Sequence, residues 1–159
     1  MRRLLVSAAL LALALDISAR ADVVVTATYD APADAIWALV DFHAPSEAVM
    51  PPVASSERTG EGLGALKINR LKGGGEVLLQ LVYYAPQDRA FNYVIRSGPL
   101  PVSQYVGAVR VADLGEGRSA LTWQARYEPA GVSGAEADAL LEGFLQSITA
   151  RIGETYPAK

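Results

Sequence analysis

From residue 23 to residue 29 the side chains alternate, with Val23, Val25, Ala27 and Tyr29 on one side and Val24, Thr26 and Thr28 on the other. This is the period of a strand. Asp30-Ala31-Pro32 interrupts it, and Pro32 suits the opening turn of a short helix on which Ile36, Leu39 and Val40 share a face. A looser stretch, 43–52, has room for a second short helix near 46–50, stopped by Pro51-Pro52. Six strand patterns follow, at 53–59, 65–71, 76–84, 89–96, 103–112 and 119–128, and turn segments rich in Gly and Pro punctuate them. Links this short make antiparallel neighbours. From Ser133 the period lengthens: Ala137, Leu140, Leu141, Phe144, Ile148 and Ile152 recur at helical spacing, and Glu136 three residues after Ser133 completes a capping-box signature. The order predicts an α+β domain in which one curved antiparallel seven-stranded sheet wraps around a long C-terminal helix, with two short helices after strand 1.

The later strands show which side faces in. Val77, Leu79, Leu81 and Tyr83, then Phe91, Tyr93 and Ile95, then Tyr105, Gly107, Val109 and Val111, and last Leu121, Trp123, Ala125 and Tyr127 carry no charge. The alternate positions include Glu76, Arg96, Arg110, Arg126 and Glu128, so the neutral set is expected inside. A strongly bent sheet diverges from a straight helix, which leaves room for a hollow between them. Tyrosines 83, 93 and 105 would bring hydroxyls into that space, and buried hydroxyls need partners.

Composition narrows the setting. The chain opens Met1-Arg2-Arg3, runs uncharged for twelve residues from Leu4 to Leu15, and reaches Ala19-Arg20-Ala21 before the first strand. That layout reads as a signal peptide over 1–21, cut after Ala21, and it leaves a 22–159 domain that is periplasmic or secreted. Twelve residues fall short of the roughly 20 that span a bilayer, so no integral membrane span is expected after processing. Removing Arg2, Arg3, Arg20 and Asp16 leaves 11 basic and 16 acidic side chains, a formal charge of −5. That balance argues against nucleic acid as a partner. One domain of this size buries about two-thirds of its unfolded surface without disulfides, and a monomer is expected.

The stretch Asp30 to Phe42, the Gly62-Leu63-Gly64-Ala65 run, the segment Gly98-Pro99-Leu100-Pro101-Val102-Ser103-Gln104-Tyr105 and the Thr122-Trp123 pair together resemble the polyketide cyclase/dehydrase-like branch (SRPBCC) of the START-like, helix-grip superfamily. The resemblance covers nearly all of 22–156. It implies a helix-grip fold with a central cavity. In related plant hormone receptors two loops close over the ligand, and here 72–75 and 98–102 are similar to those loops by position. Many relatives carry an acidic residue where this chain has Leu79, so acid-assisted chemistry at that point is doubtful here.

The expected ligand contacts are Leu66, Ile68, Arg70, Val77, Leu79, Leu81 and Tyr83 from the middle strands, and Phe91, Tyr93 and Ile95 from the next. Leu100 and Pro101 come from the loop, Tyr105, Gly107 and Trp123 from the last strands, and Leu140, Leu141, Phe144 and Ile148 from the helix. Arg70 could meet an acidic ligand group, although a solvated strand-end arginine is the plainer reading. The expected partner is an apolar or amphipathic small molecule. The runner-up is a cyclase or dehydratase with Tyr93 or Tyr105 as proton donor, and a third reading is a protein-interaction module using Leu78, Val82, Val94 and Val106 on the outer face. His43 is the single histidine and there is no cysteine, so no metal site and no cofactor is expected.

Overall fold

A computed structural model describes residues 21–157; the proposed signal peptide, residues 1–21, lies outside that range but for its last residue. Seven antiparallel strands form one sheet in the order β1-β7-β6-β5-β4-β3-β2. They are β1 (Ala21–Tyr29), β2 (Val53–Thr59), β3 (Leu66–Leu71), β4 (Glu76–Ala85), β5 (Ala90–Ser97), β6 (Val102–Gly115) and β7 (Arg118–Pro129). Helix α1 (Ala33–Val40) follows β1, and the second short helix is a single 3₁₀ turn, Ser46–Ala48. Helix α2 (Gly134–Gly153) closes the chain. This is the helix-grip arrangement, with the first and last strands side by side and the long helix laid across the concave face.

The local chemistry accounts for the elements. Ser133 Oγ accepts from Glu136 N at 3.3 Å while Ser133 N donates to Glu136 Oε2 at 2.9 Å, the reciprocal capping box, worth about 1 kcal/mol. Ala137, Leu141, Leu145, Ile148 and Ile152 then bury one stripe of α2 against β1 and β7. Leu145, left out of the sequence-derived stripe, belongs to it. Tyr29 Oη donates to Thr149 O at 3.1 Å and ties β1 to the helix.

The neutral half of β4 to β7 does face the helix. Thirteen of the fifteen positions are buried, among them Trp123, Tyr127, Leu121 and Val109. Ile95 is half-buried, and Tyr83, expected inside, is 47% exposed. The register of β4 against β5 shifts between Leu81 and Tyr83. An extra residue there moves every later side chain to the other face. Tyr84 therefore turns toward the α1 side, where it stacks on Trp37 with ring centroids 6.4 Å apart.

Strand β3 reverses the expected polarity. Lys67 pairs opposite Leu79 and Asn69 opposite Val77, and directly paired residues share a face. The polar Lys67 and Asn69 are consequently inside and buried. Leu66, Ile68 and Arg70, predicted as inner positions, lie on the outer face. Arg70 there bridges Glu57 and Glu76 at 3.0 Å each, and its guanidinium holds the Glu57 carboxyl below its ordinary range.

Candidate functional site

Helix α2 touches the sheet along β1 and β7, and the sheet curls away from it toward β3 and β4. Register shifts in β2, β4 and β6 add to that bend. The result is a cavity of about 430 Å³, within the usual range for small-molecule sites. Its floor is Val77, Leu79, Tyr93 and Ile95; Asn69, Leu71 and Tyr105 flank them. Helix α2 supplies Leu140, Leu141, Gly143, Phe144 and Ser147, and the rim is completed by Met50, Pro52, Val53 and Leu100. Leu140 is 45% exposed and stands where the hollow meets solvent.

No residue of this lining is ionisable apart from the two tyrosines. Their hydroxyls lie 3.1 Å apart, and Trp123 Nε1 donates to Tyr93 Oη at 3.1 Å. Burial raises the pKa of both phenols, and the neighbouring Tyr93 raises Tyr105 further. Ser147 Oγ donates to Phe144 O at 2.7 Å. Asn69 is 4% exposed; its Nδ2 reaches only Met50 Sδ at 3.8 Å, and its Oδ1 has no partner.

Val77, Leu79, Tyr93, Ile95, Leu100, Tyr105, Leu140, Leu141 and Phe144 are thus sequence-derived candidates that meet around one space. Leu81, Phe91, Trp123 and Ile148 are packed behind the lining. Gly107 is also behind it, and it is there for Tyr93: a Cβ at Gly107 would fall 2.3 Å from the Tyr93 ring. Pro101 adjoins the rim residue Leu100, and its carbonyl accepts from Ala130 N at 2.9 Å. The sequence reading missed Asn69 and Leu71, because β3 looks apolar on its other side. It also missed Met50, Pro52 and Val53, which reach the rim from an irregular segment, and Gly143 and Ser147, which lack the bulk that marks a stripe.

A second void, of about 20 Å³, adjoins the cavity and shares Met50, Leu79 and Tyr93 with it. That is room for about one water molecule. Lys67 projects there, donating to Ala44 O at 2.7 Å and to Ser46 Oγ at 3.3 Å, with its ammonium 5.1 Å from the Phe42 ring centre. Burial pulls its pKa down to about 8. Nearby, Asp41 accepts from Tyr84 Oη at 2.8 Å and lies 2.9 Å from His43 Nδ1. The histidine therefore has the orienting carboxylate that the sequence did not reveal. Its ring nevertheless packs edge-on against Tyr84 and is not part of the cavity lining. Among the described residues no cluster of three or more His, Cys, Asp or Glu could hold a metal ion.

Residues 20–153 match the family described as polyketide cyclase / dehydrase and lipid transport. No curated protein matches the sequence. Among solved structures, the chain is similar to the protein XoxI from Bacillus cereus, at 20% identity and a TM-score of 0.79 over 86% of this chain and 95% of that one. A START superfamily protein from Mycobacterium smegmatis is 15% identical with a TM-score of 0.72, covering 84% and 95%. The Zhui aromatase/cyclase from Streptomyces sp. R1128 is 19% identical with a TM-score of 0.67, covering 84% and 89%. At these identities the likeness concerns the fold.

Proposed function

The chain belongs to the polyketide cyclase / dehydrase and lipid transport family, and from that premise we propose that it binds or carries an apolar or amphipathic small molecule between the sheet and α2. The observation that carries this reading is a 430 Å³ hollow whose lining is apolar except for four neutral polar side chains. Burying apolar ligand surface there is favourable by about 25 cal/mol per Å² before the losses of freedom on binding are subtracted. The lining residues named above are the proposed contacts.

Cyclase or dehydratase activity asks more of the same site. General acid–base work is most effective when a group titrates near the working pH. The lining has no carboxylate or imidazole, and burial moves Tyr93 and Tyr105 further from neutrality. Binding needs only the geometry present. In this reading the leader over 1–21 exports the domain to the periplasm, where it acts as a monomer; N-terminal sequencing of exported protein should begin at Asp22. Among the described residues no helix is long and apolar enough to cross a membrane.

Native mass spectrometry of the exported protein tests the binding reading. The expected spectrum contains a bound mass that disappears after solvent extraction. A bare polypeptide mass that persists after incubation with a total lipid extract, together with no uptake of the uncharged dye N-phenyl-1-naphthylamine, overturns it.

A further inference from the structure

Two buried polar side chains of β3 lie against one irregular segment, 44–53, and neither is fully satisfied there. Lys67 is 5% exposed and donates to Ala44 O and Ser46 Oγ, both on that segment. Its ammonium has no ion pair with a carboxylate among the described residues; Asp41 and Glu47 act on it only from a distance. Asn69 Oδ1 is buried without a partner, and Asn69 Nδ2 reaches the Met50 sulfur of the segment only at 3.8 Å. A charge or a carbonyl buried in this way is costly, and the cost vanishes once water reaches it. Packing holds the same segment weakly from within. Val49 and Met50 border the small void, and Met50, Pro52 and Val53 border the cavity, so these side chains lack part of their contacts. A stretch with few contacts and unsatisfied groups beneath it is where local opening is easiest.

Resting on the ligand-binding reading above, we propose that segment 44–53 is the door by which ligand enters and leaves the cavity, and that Lys67 is the positioning residue that fastens it and makes it open more readily at lower pH. The sign follows from hydration. With the door shut the ammonium is cut off from water, which disfavours its charged form; with the door open it is hydrated. Protonation therefore favours the open state, and the closed state gains as pH rises. Burial brings Lys67 from 10.5 down to about 8 in the closed protein, so opening falls about tenfold between pH 7 and pH 9. Around it, Asp41 at the end of α1 and Glu47 in the 3₁₀ turn attract the ammonium and Arg58 on β2 repels it, and burial outweighs them all. Asp41 is itself engaged by Tyr84 and His43. Tyr93, the remaining titratable group of the void, is pushed above its ordinary value and stays neutral over this range.

Hydrogen exchange read by mass spectrometry follows the opening directly. At pH 7 segment 44–53 is expected to exchange well before the amides of β6 and β7, and, after correction for intrinsic rates, to slow about tenfold by pH 9. Release of preloaded N-phenyl-1-naphthylamine into excess phosphatidylcholine vesicles should slow by the same factor. Lys67→Met carries no charge over this range and Lys67→Arg keeps its charge throughout, so both variants should lose the pH dependence of exchange and of release. Loss in both assigns the effect to titration of the ammonium, since a purely structural role would change the rates without flattening their profile. Should both variants fail to fold, the two wild-type profiles decide. Exchange of 44–53 in step with β6 and β7, or dye release that does not vary with pH, overturns the door while leaving the cavity reading intact. A pH dependence that persists in either Lys67 variant overturns the role of Lys67. Failure of the wild-type protein to take up the dye overturns the door and the cavity reading together.

Discussion

Two stripes of helix α2 face the same sheet, and they meet it differently. Along one, Ala137, Leu141, Leu145, Ile148 and Ile152 are all at most 1% exposed, and from Leu145 onward the contacts are the packed side chains of β1 and β7. Along the other, Leu140, Gly143, Phe144 and Ser147 look across open space toward β3, β4 and β5. Helix, sheet and solvent are common to both stripes, so the difference lies in the sheet's curvature. Close packing holds where a strand runs beside the helix and fails where the strands bend away. The polar content follows the same division. Of the four buried polar or charged residues among those described, Ser46, Lys67 and Asn69 lie on the open side.

The sharpest way to break the comparison is to truncate neighbours on the two stripes. Leu145→Ala, at a site with no exposure, is expected to cost about 3 kcal/mol. Phe144→Ala removes more atoms but from a half-buried ring facing the hollow, and about 1 kcal/mol is expected. Urea denaturation of both variants settles the order. Equal losses, or a larger loss at Phe144, would mean that the hollow is filled by packing in solution.

Gly107→Ala is expected next in size, at about 2 kcal/mol, because the added methyl must displace the ring of Tyr93 and overpacked cores of this kind yield by such amounts. Tyr93 also lines the cavity, so the same change should reduce dye uptake. A variant that melts like wild type and binds the dye normally would show that the ring has freedom the packed side lacks.

The packed side was the legible one. On β6 and β7 the alternation is unbroken where it matters, with Val109, Val111, Leu121, Trp123 and Tyr127 inside, and the capping box fixes where α2 starts. The open side was legible only in part, for three physical reasons. Leu66 and Ile68 imitate an inner face, and only the pairing of β3 with β4 reveals that Lys67 and Asn69 occupy it. Tyr83 is turned outward by a register shift that alternation cannot register. Met50, Pro52 and Val53 reach the rim from a segment whose path follows from Lys67 and Ser56 holding Ala44 and Ser46 in place, contacts between residues well separated along the chain.

Lys67 gives the open side its own pH signature. Its pKa is lowered from 10.5 to about 8 in the folded protein, so between those values the unfolded chain binds more protons and stability rises with pH. Above about pH 10 the trend should reverse, because Tyr29 and Tyr84 are raised to about 12 and the unfolded tyrosines ionise first. Denaturation midpoints from pH 7.5 to 9.5 are therefore expected to rise by an amount worth roughly 1–2 kcal/mol, and Lys67→Met should flatten the rise. A flat wild-type profile would place the ammonium in contact with water, and the void beside the cavity would then be open.

Gly143 offers the finest probe of the open stripe, because helix propensity and packing can be separated there. It lies within α2, it lines the cavity, and a Cβ built on it meets nothing within 4 Å. Alanine lowers the backbone entropy lost on folding, and in a helix interior it is favoured over glycine by about 0.5–1 kcal/mol. Gly143→Ala should therefore stabilise the protein by about that amount, read as a raised melting temperature, with dye affinity little changed. Gly143→Leu should retain most of the stability and displace the dye, since the longer side chain extends into the hollow. On a closely packed stripe both substitutions would instead destabilise, so the sign of the alanine effect distinguishes an open cavity from a core that relaxes to fill it.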